Sequence, residues 1–443
     1  MLAPIIFDRA TMGFALSVHI VLAVIGITLP VIIAVCEYLA ARRDDNDYKV
    51  MARRLSVMLV ILFAAGTASG VLVAVNLLFL WPAFMSLAGS VAILPVYIEV
   101  FAFFGEAIFL AMYFYGRGGF SNKYAPAAVM AVAGFFGILS AMLITMLNAF
   151  MNTPAGFDIP QYLSTGVLSG INPLAVFNTP STWIEVAHVV ATSYFAGAFI
   201  FVAYFAYRLL KTDKDVLKRY FRKGLKISLA IAFVATIASL YTGILSIATL
   251  STLQPEKYAA IELDLVPQSH APEYIGGIIT NNTVVGAIPI PNLQSILDTG
   301  SPSGSVPGLS QFPQSTWPTT YVHLMFDAMV GVGFLIGIFL ALLLLVRVVL
   351  RKDVLKSRLM LLLMIVSGIL SVFLLEDGWI MSELARQPWI IYNVMTVVQA
   401  GNPSSSIVPL SIGIVVFYIV IIPLTLLVIK KIGKNVALED ELK

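Results

Sequence analysis

Cysteine and charge are the two things this chain nearly does without. Cys36 is its one cysteine, which excludes an internal disulfide, a Cys-ligated cluster and covalent haem attachment through a Cys-x-x-Cys-His motif. Charged residues make up 12% of the chain, about half of what a soluble domain carries, so an ordinary water-facing surface is excluded as well. The net charge of +3 is no sign of nucleic acid, because the basic residues are placed for another reason. No cleaved leader is expected, since Asp8 and Arg9 precede the first apolar run and no small-residue cleavage site follows it.

Apolar residues fill the space that charge leaves: 59% of the chain is hydrophobic and the mean hydropathy is +0.93. Apolar runs at 10–39, 55–80, 91–115, 125–150, 183–207, 225–250, 320–346, 357–379 and 405–429 are each long enough to cross a bilayer, which takes about 20 residues at about 1.5 Å per residue. The expected fold is therefore all-α and polytopic, with nine transmembrane helices in a lipid bilayer. Of 27 Lys and Arg residues, 24 lie in four short connections and the C-terminal tail. Cytoplasmic loops keep such an excess, so the N-terminus is expected outside and the C-terminus inside. Three parts follow: helices 1–6 in 1–250, a long outer loop in 251–319, and helices 7–9 with the tail in 320–443. That loop is too long to be a mere connector and reads as functional. Arg9, Lys257 and Arg386 are the basic residues left on the outer side.

An ionisable group at the bilayer centre costs at least ~2.5–3.5 kcal/mol, so such groups usually face a partner or a cavity. His19, Glu99, Glu106, Glu185, His188, Asp327 and Glu376 therefore need explaining. Counted from the outer helix ends, His19, His188, Met329 and Glu376 fall in one layer of the outer half. Imidazole, thioether and carboxylate in a dry helical setting are ligand types that hold haem iron, and a His–Met pair gives a low-spin, electron-transferring haem. A hydrogen-bonded structural role is an equal alternative for a lone membrane His, a Met is far more often packing, and His323 competes with Met329 on the same helix. Glu99 and Glu106 are seven apart and share a helix face. They read either as part of a proton path or as protonated carboxyls bonding a neighbouring helix. Ser140 and Asn148 could extend such a route. A secondary transporter, with carboxylates binding protons or cations, is the competing class.

Seven segments resemble subunit I of the cytochrome bd-type quinol oxidases over nearly the whole chain: RATMGFALSVH at 9–19, FAFFGE ending at 106, NAFMNTPAG at 148–156, HVVATSYFAGA at 188–198, QPEKYAAIE at 254–262, MVGVGF at 329–334 and EDGWIMSELARQPW at 376–389. The resemblance implies a nine-helix subunit in a prokaryotic plasma membrane, pairing with a second membrane subunit and carrying a low-spin haem b, a high-spin haem b and a haem d or a substitute haem. It implies that His188 and Met329 ligate the low-spin haem, and that His19 and Glu376, with Glu99 as a further ligand position, serve the high-spin haems. It further implies that Glu99 and Glu106 take part in proton supply, and that Lys257 and Glu262 match the quinol-site pair in the outer Q-loop. Arg9, Trp379 and Arg386, in the matching segments, join the cofactor-binding set. The resemblance thus implies quinol oxidation outside and oxygen reduction to water with cytoplasmic protons; a quinol-oxidising haem protein without oxygen reductase activity is the second reading. A solvated Lys257–Glu262 salt bridge is the bland alternative for that pair. The chain departs from the family pattern after GTASG at 66–70, which continues as VLVAVNLLFLW instead of a Glu-containing stretch, at Asp327, where a basic residue is usual, and at Ala385, where Gly is usual. The Glu99–Glu106 spacing is one residue shorter than common. Asp327, in place of a cation beside a haem, is expected to stabilise the oxidised state and lower that haem's potential.

Overall fold

The computed structural model describes residues 2–319, 321–404, 406–434 and 438–442. Among these, nine helices are long and apolar enough to cross a membrane: α1 Leu2–Arg43, α2 Asn46–Leu80, α3 Leu94–Gly116, α4 Ala125–Asn152, α5 Thr182–Leu210, α6 Asp215–Leu253, α7 Val322–Val348, α8 Arg358–Ala385 and α9 Ile407–Lys434. Each matches one expected apolar run, starting at most three residues inside it and extending up to about ten residues beyond it at an end. Thr320 and Ser405, the first residues of two expected runs, lie outside the described residues.

Helix α5 is the centre of the bundle. In its most apolar window 61% of residues are buried, against 17–44% in the other eight spans. Small residues permit this, since helices in lipid approach where a side chain is missing. A Cβ at Gly197 would stand 2.0 Å from Thr28 Oγ1 of α1, and one at Gly368 of α8 would stand 2.3 Å from Ala203 Cβ and 2.7 Å from the Phe199 carbonyl of α5. A Cβ at Gly224 of α6 would press into the Phe205 ring at 2.4 Å. One continuous apolar core, from Val24 and Leu29 through Phe199, Phe205 and Phe221 to Leu361, results.

At one end of the bundle lies the segment after α6. It opens with the short helix Pro255–Ile261 and continues through three antiparallel strand pairs, 268–269 with 305–306, 273–275 with 288–290, and 278–280 with 283–285. The tightest hairpin turns on Asn281 and Asn282, both at positive φ, the conformation a two-residue hairpin asks of its central residues and Asn tolerates. This segment packs on α7 and α8 through Ala259, Ile261, Leu309, Val322 and Met381. At the same end the chain after α8 passes a cis Gln387–Pro388 bond into a small hairpin, Trp389–Ile391 with Met395–Thr396.

The opposite end carries the basic connections. Arg219 and Lys223 of α6 hold Asp47, and Lys223 also holds Asp45. The C-terminal segment returns to this end, where Glu441 pairs with Arg53 and Arg54 and Glu439 with Lys214.

Candidate functional site

His188 lies on α5 under the loop end of the bundle. Its Nδ1 is 3.0 Å from Thr242 Oγ1 of α6, and that hydroxyl already donates to the Ala238 carbonyl at 2.8 Å. With its one proton committed, Thr242 can only accept, so His188 carries hydrogen on Nδ1 and its Nε2 lone pair is free. A metal-binding imidazole needs this tautomer. Met329 of α7 reaches α8 at Gly378, where a Cβ would stand 3.0 Å from its sulfur. The two residues share a level. From the α5–α8 crossing, where Ser371 Oγ donates to the Ala196 carbonyl at 3.5 Å, His188 is eight residues and Gly378 seven residues toward the loop end, about 12 and 10 Å.

His19 of α1 packs on Gly70 of α2, where a Cβ would meet its ring at 3.1 Å. Its Nδ1 is buried without a partner, as is Oε1 of Glu376 on α8. Glu376 also lies near Ser17, two residues from His19. An imidazole and a carboxylate on neighbouring helices, each with a buried atom left unpartnered, fit an iron porphyrin, since buried polar groups otherwise find partners. Asn76, in the departing segment of α2, is fully buried with both amide atoms unpartnered; hydropathy had hidden it among leucines.

Ser140 of α4 donates to Glu99 Oε1 at 2.6 Å. Glu106, two helical turns along α3, is buried against Gly137 of α4, where a Cβ would stand 3.2 Å from Oε1. The expected extension through Ser140 is thus present, but Asn148 belongs elsewhere: its amide donates to Glu383 Oε1 at 3.3 Å. Glu383 also takes Arg386 Nη2 at 2.5 Å, Arg386 Nη1 reaches Asn152 Oδ1 at 3.2 Å, and Asn152 donates to Glu185 Oε1 at 2.9 Å. Trp379 packs against the main core, and Arg9 is exposed, with no hydrogen bond or ion pair among the described residues.

Lys257 and Glu262 are both buried, at 6% and 4% exposure, so a solvated bridge between them is ruled out. They do not pair. Glu262 follows the last residue of the short helix that bears Lys257, and five residues along that helical turn set the two about 140° apart. Lys257 donates to Ser382 Oγ at 3.3 Å and lies near Glu185, Glu383 and Arg386. Burial, with Arg386 adding to it, lowers its pKa to about 8. Glu262 faces Glu273 of the loop, close enough for their carboxyls to hydrogen-bond, with Asp264 and Asp327 beyond. Burial and these neighbours push Glu262 well above the usual carboxylate range, and burial raises Glu273 too. No sequence motif flagged Glu273, because its approach to Glu262 depends on how the loop folds.

His323 loses its claim as an alternative ligand. Its Nδ1 lies 2.5 Å from the Ile261 carbonyl, and its Nε2 lies 3.1 Å from the Gly276 carbonyl and 3.3 Å from Asp327 Oδ2. Both nitrogens face acceptors, so neither offers a lone pair. Asp327, which also accepts the Gly276 amide at 2.5 Å, is a counter-charge to His323 and not a lone anion, which weakens the reason to expect a lowered potential.

Comparison with known proteins settles the class to which this site belongs. The family described as cytochrome bd terminal oxidase subunit I matches residues 7–436. The chain belongs to that family. It is 35% identical over 410 residues to a protein of Bacillus subtilis (strain 168) named putative cytochrome bd menaquinol oxidase subunit I, covering 91% of this chain and 90% of that one. It is 27% identical over 432 residues to that organism's cytochrome bd ubiquinol oxidase subunit 1, covering 94% and 90%. Among solved structures, the bd oxidase from Geobacillus thermodenitrificans superposes with a TM-score of 0.90 at 34% identity, over 98% of this chain and 99% of that one. This is a terminal quinol oxidase subunit of a haem-bearing family, and the transporter reading is set aside.

Proposed function

We propose that quinol is oxidised beside the short helix Pro255–Ile261, that His188 and Met329 would hold a low-spin haem able to accept its electrons, and that His19, Glu376 and Glu99 would serve the high-spin haems at which oxygen would be reduced. The observation that carries this reading is the position of that short helix across the two ligand helices. Lys257 reaches toward Glu185, one turn from His188 on α5, and Glu262 reaches toward Asp327, two residues from Met329 on α7.

Oxidation of a quinol removes two electrons and two protons. Lys257, a hydrogen-bond donor freed of bulk water, orients and polarises one quinol oxygen. Glu262 in its ionised form takes one proton as general base, shares it with Glu273 through their hydrogen bond, and releases it to the outer water before taking the second. Haem, when bound, supplies the one-electron steps and the oxygen chemistry. Thr242 keeps His188 in the ligating tautomer, and Gly378 leaves room for the Met329 thioether. Glu99, Ser140 and Glu106 hand protons along the α3–α4 seam toward the high-spin sites. Quinol is oxidised outside and protons are drawn from the basic, cytoplasmic face, so turnover charges the plasma membrane without a pump. A second membrane subunit completes the assembly.

The test is paired. His188→Ala and Met329→Leu should each abolish the low-spin haem signal in the visible spectrum, whereas Lys257→Met and Glu262→Gln should keep the full spectrum and lower quinol-dependent oxygen consumption by about 10²–10⁴-fold. An unchanged spectrum in the first pair, or full activity in the second, refutes the assignment.

A further inference from the structure

At the end of the bundle opposite the quinol loop lies a cavity of about 730 Å³, walled by the end of α5, the first three turns of α6 and the start of α8. Seven basic side chains line it, Lys218, Arg219, Arg222, Lys223, Lys226, Lys356 and Arg358, against two acidic ones, Asp213 and Asp215. Part of this charge is already balanced. Arg219 and Lys223 are held by Asp47 and Asp45, and Arg222 Nη1 meets Asp353 at 3.3 Å. Lys218, Lys226, Lys356 and Arg358 have no carboxylate partner among the described residues. Arg222 also keeps a buried Nε with nothing to donate to. Basic residues serving only to orient a membrane protein need no common focus; these converge on one hollow.

The floor of the hollow is apolar, formed by Leu209, Leu210, Leu355 and Leu361, and beside it Leu359 and Leu362 of α8 are exposed on the outside of the bundle. A ligand here meets cations at the helix ends and hydrocarbon immediately beside them, which is the layout of a phospholipid at the edge of a bilayer. Basic pockets between transmembrane helices on the cytoplasmic side bind anionic head groups in this way. We propose that this cavity binds the phosphate head group of an anionic phospholipid, with its acyl chains lying along Leu359 and Leu362. The site is independent of the quinol and haem assignments.

Native mass spectrometry of the intact oxidase, stripped of lipid and re-supplied with phosphatidylglycerol or phosphatidylcholine, tests this. The wild type should retain one phosphatidylglycerol and no phosphatidylcholine at this site. Lys226→Ala/Lys356→Ala/Arg358→Ala should retain it on the order of a hundredfold less well, since each basic residue near an anionic surface contributes about fivefold, while Lys226→Arg/Lys356→Arg should bind as wild type. All variants should keep their haem spectrum, which reports correct folding. Equal retention of the two lipids, or undiminished retention by the triple Ala variant, overturns the proposal. Displacement by glycerol 3-phosphate at the same concentration as phosphatidylglycerol overturns it too, by showing a site for soluble phosphates.

Discussion

A single hydroxyl proton decides what His188 can do. Because Thr242 gives its hydrogen to the Ala238 carbonyl, the imidazole must present Nδ1–H to it and Nε2 to the cleft. Thr242→Val removes that acceptor while keeping the volume, and should weaken low-spin haem retention by about 10–100-fold, the usual cost of losing a ligand's outer hydrogen bond; reconstitution followed at the Soret band measures it. Lys257 offers a second residue-scale expectation. Its ammonium is charged below about pH 8 and neutral above, so KM for quinol should rise as pH climbs through that value. In Lys257→Gln that alkaline limb should vanish, with KM already raised at neutral pH. Glu262 works in the opposite sense: its raised pKa keeps it protonated at low pH, so kcat/KM should grow with pH until the carboxylate forms. Glu262→Gln should flatten that limb, and a pH–rate profile reads both.

Among elements, the contact between α7 and the long loop after α6 carries the most consequence. His323 is wholly buried and bonded to two loop carbonyls, while Asp327 takes the Gly276 amide and balances the imidazole. The loop is thereby fastened to the helix that bears Met329. Removing one partner of such a pair strands the other, which costs about 3–5 kcal/mol when both are buried and less for the part-exposed Asp327. Asp327→Ala should therefore speed amide exchange and proteolysis in 273–290 while leaving α7 intact, and Asp327→Asn, which keeps an acceptor for Gly276, should fall between the two. Equal protection in all three proteins would show that the apolar contacts of Ala259, Ile261 and Val322 hold the loop by themselves.

For the whole molecule, sidedness is the property on which the proposed energetics turn, because in that proposal quinol protons released on one face and oxygen-reduction protons drawn from the other would generate a membrane potential. Cys36 is fully buried, so the native chain is a silent background for thiol labelling. In intact cells a membrane-impermeant maleimide should modify a Ser303→Cys variant in the quinol loop and leave a Lys352→Cys variant untouched until the membrane is opened. The reverse pattern would invert the proposed topology and the direction of charge transfer.

Sequence alone determined the nine spans, because covering backbone polar groups in hydrocarbon demands long apolar helices and leaves a signal in every window. It also determined which side chains were out of place, since His19, His188, Glu99, Glu106 and Glu376 stand in runs where lipid would reject them. The resemblance in QPEKYAAIE and ARQPW named the loop residues. Tertiary structure decided how these groups combine. That Lys257 and Glu262 face different networks follows from the helical turn between them and from which helices close on each side. That Glu273 joins Glu262, that His323 is spent on backbone carbonyls, and that Asp327 is a counter-charge all depend on a hairpin folding back onto α7. Hydropathy is a property of neighbours along the chain, whereas ligand tautomers, shared protons and compensated charges are properties of neighbours in space.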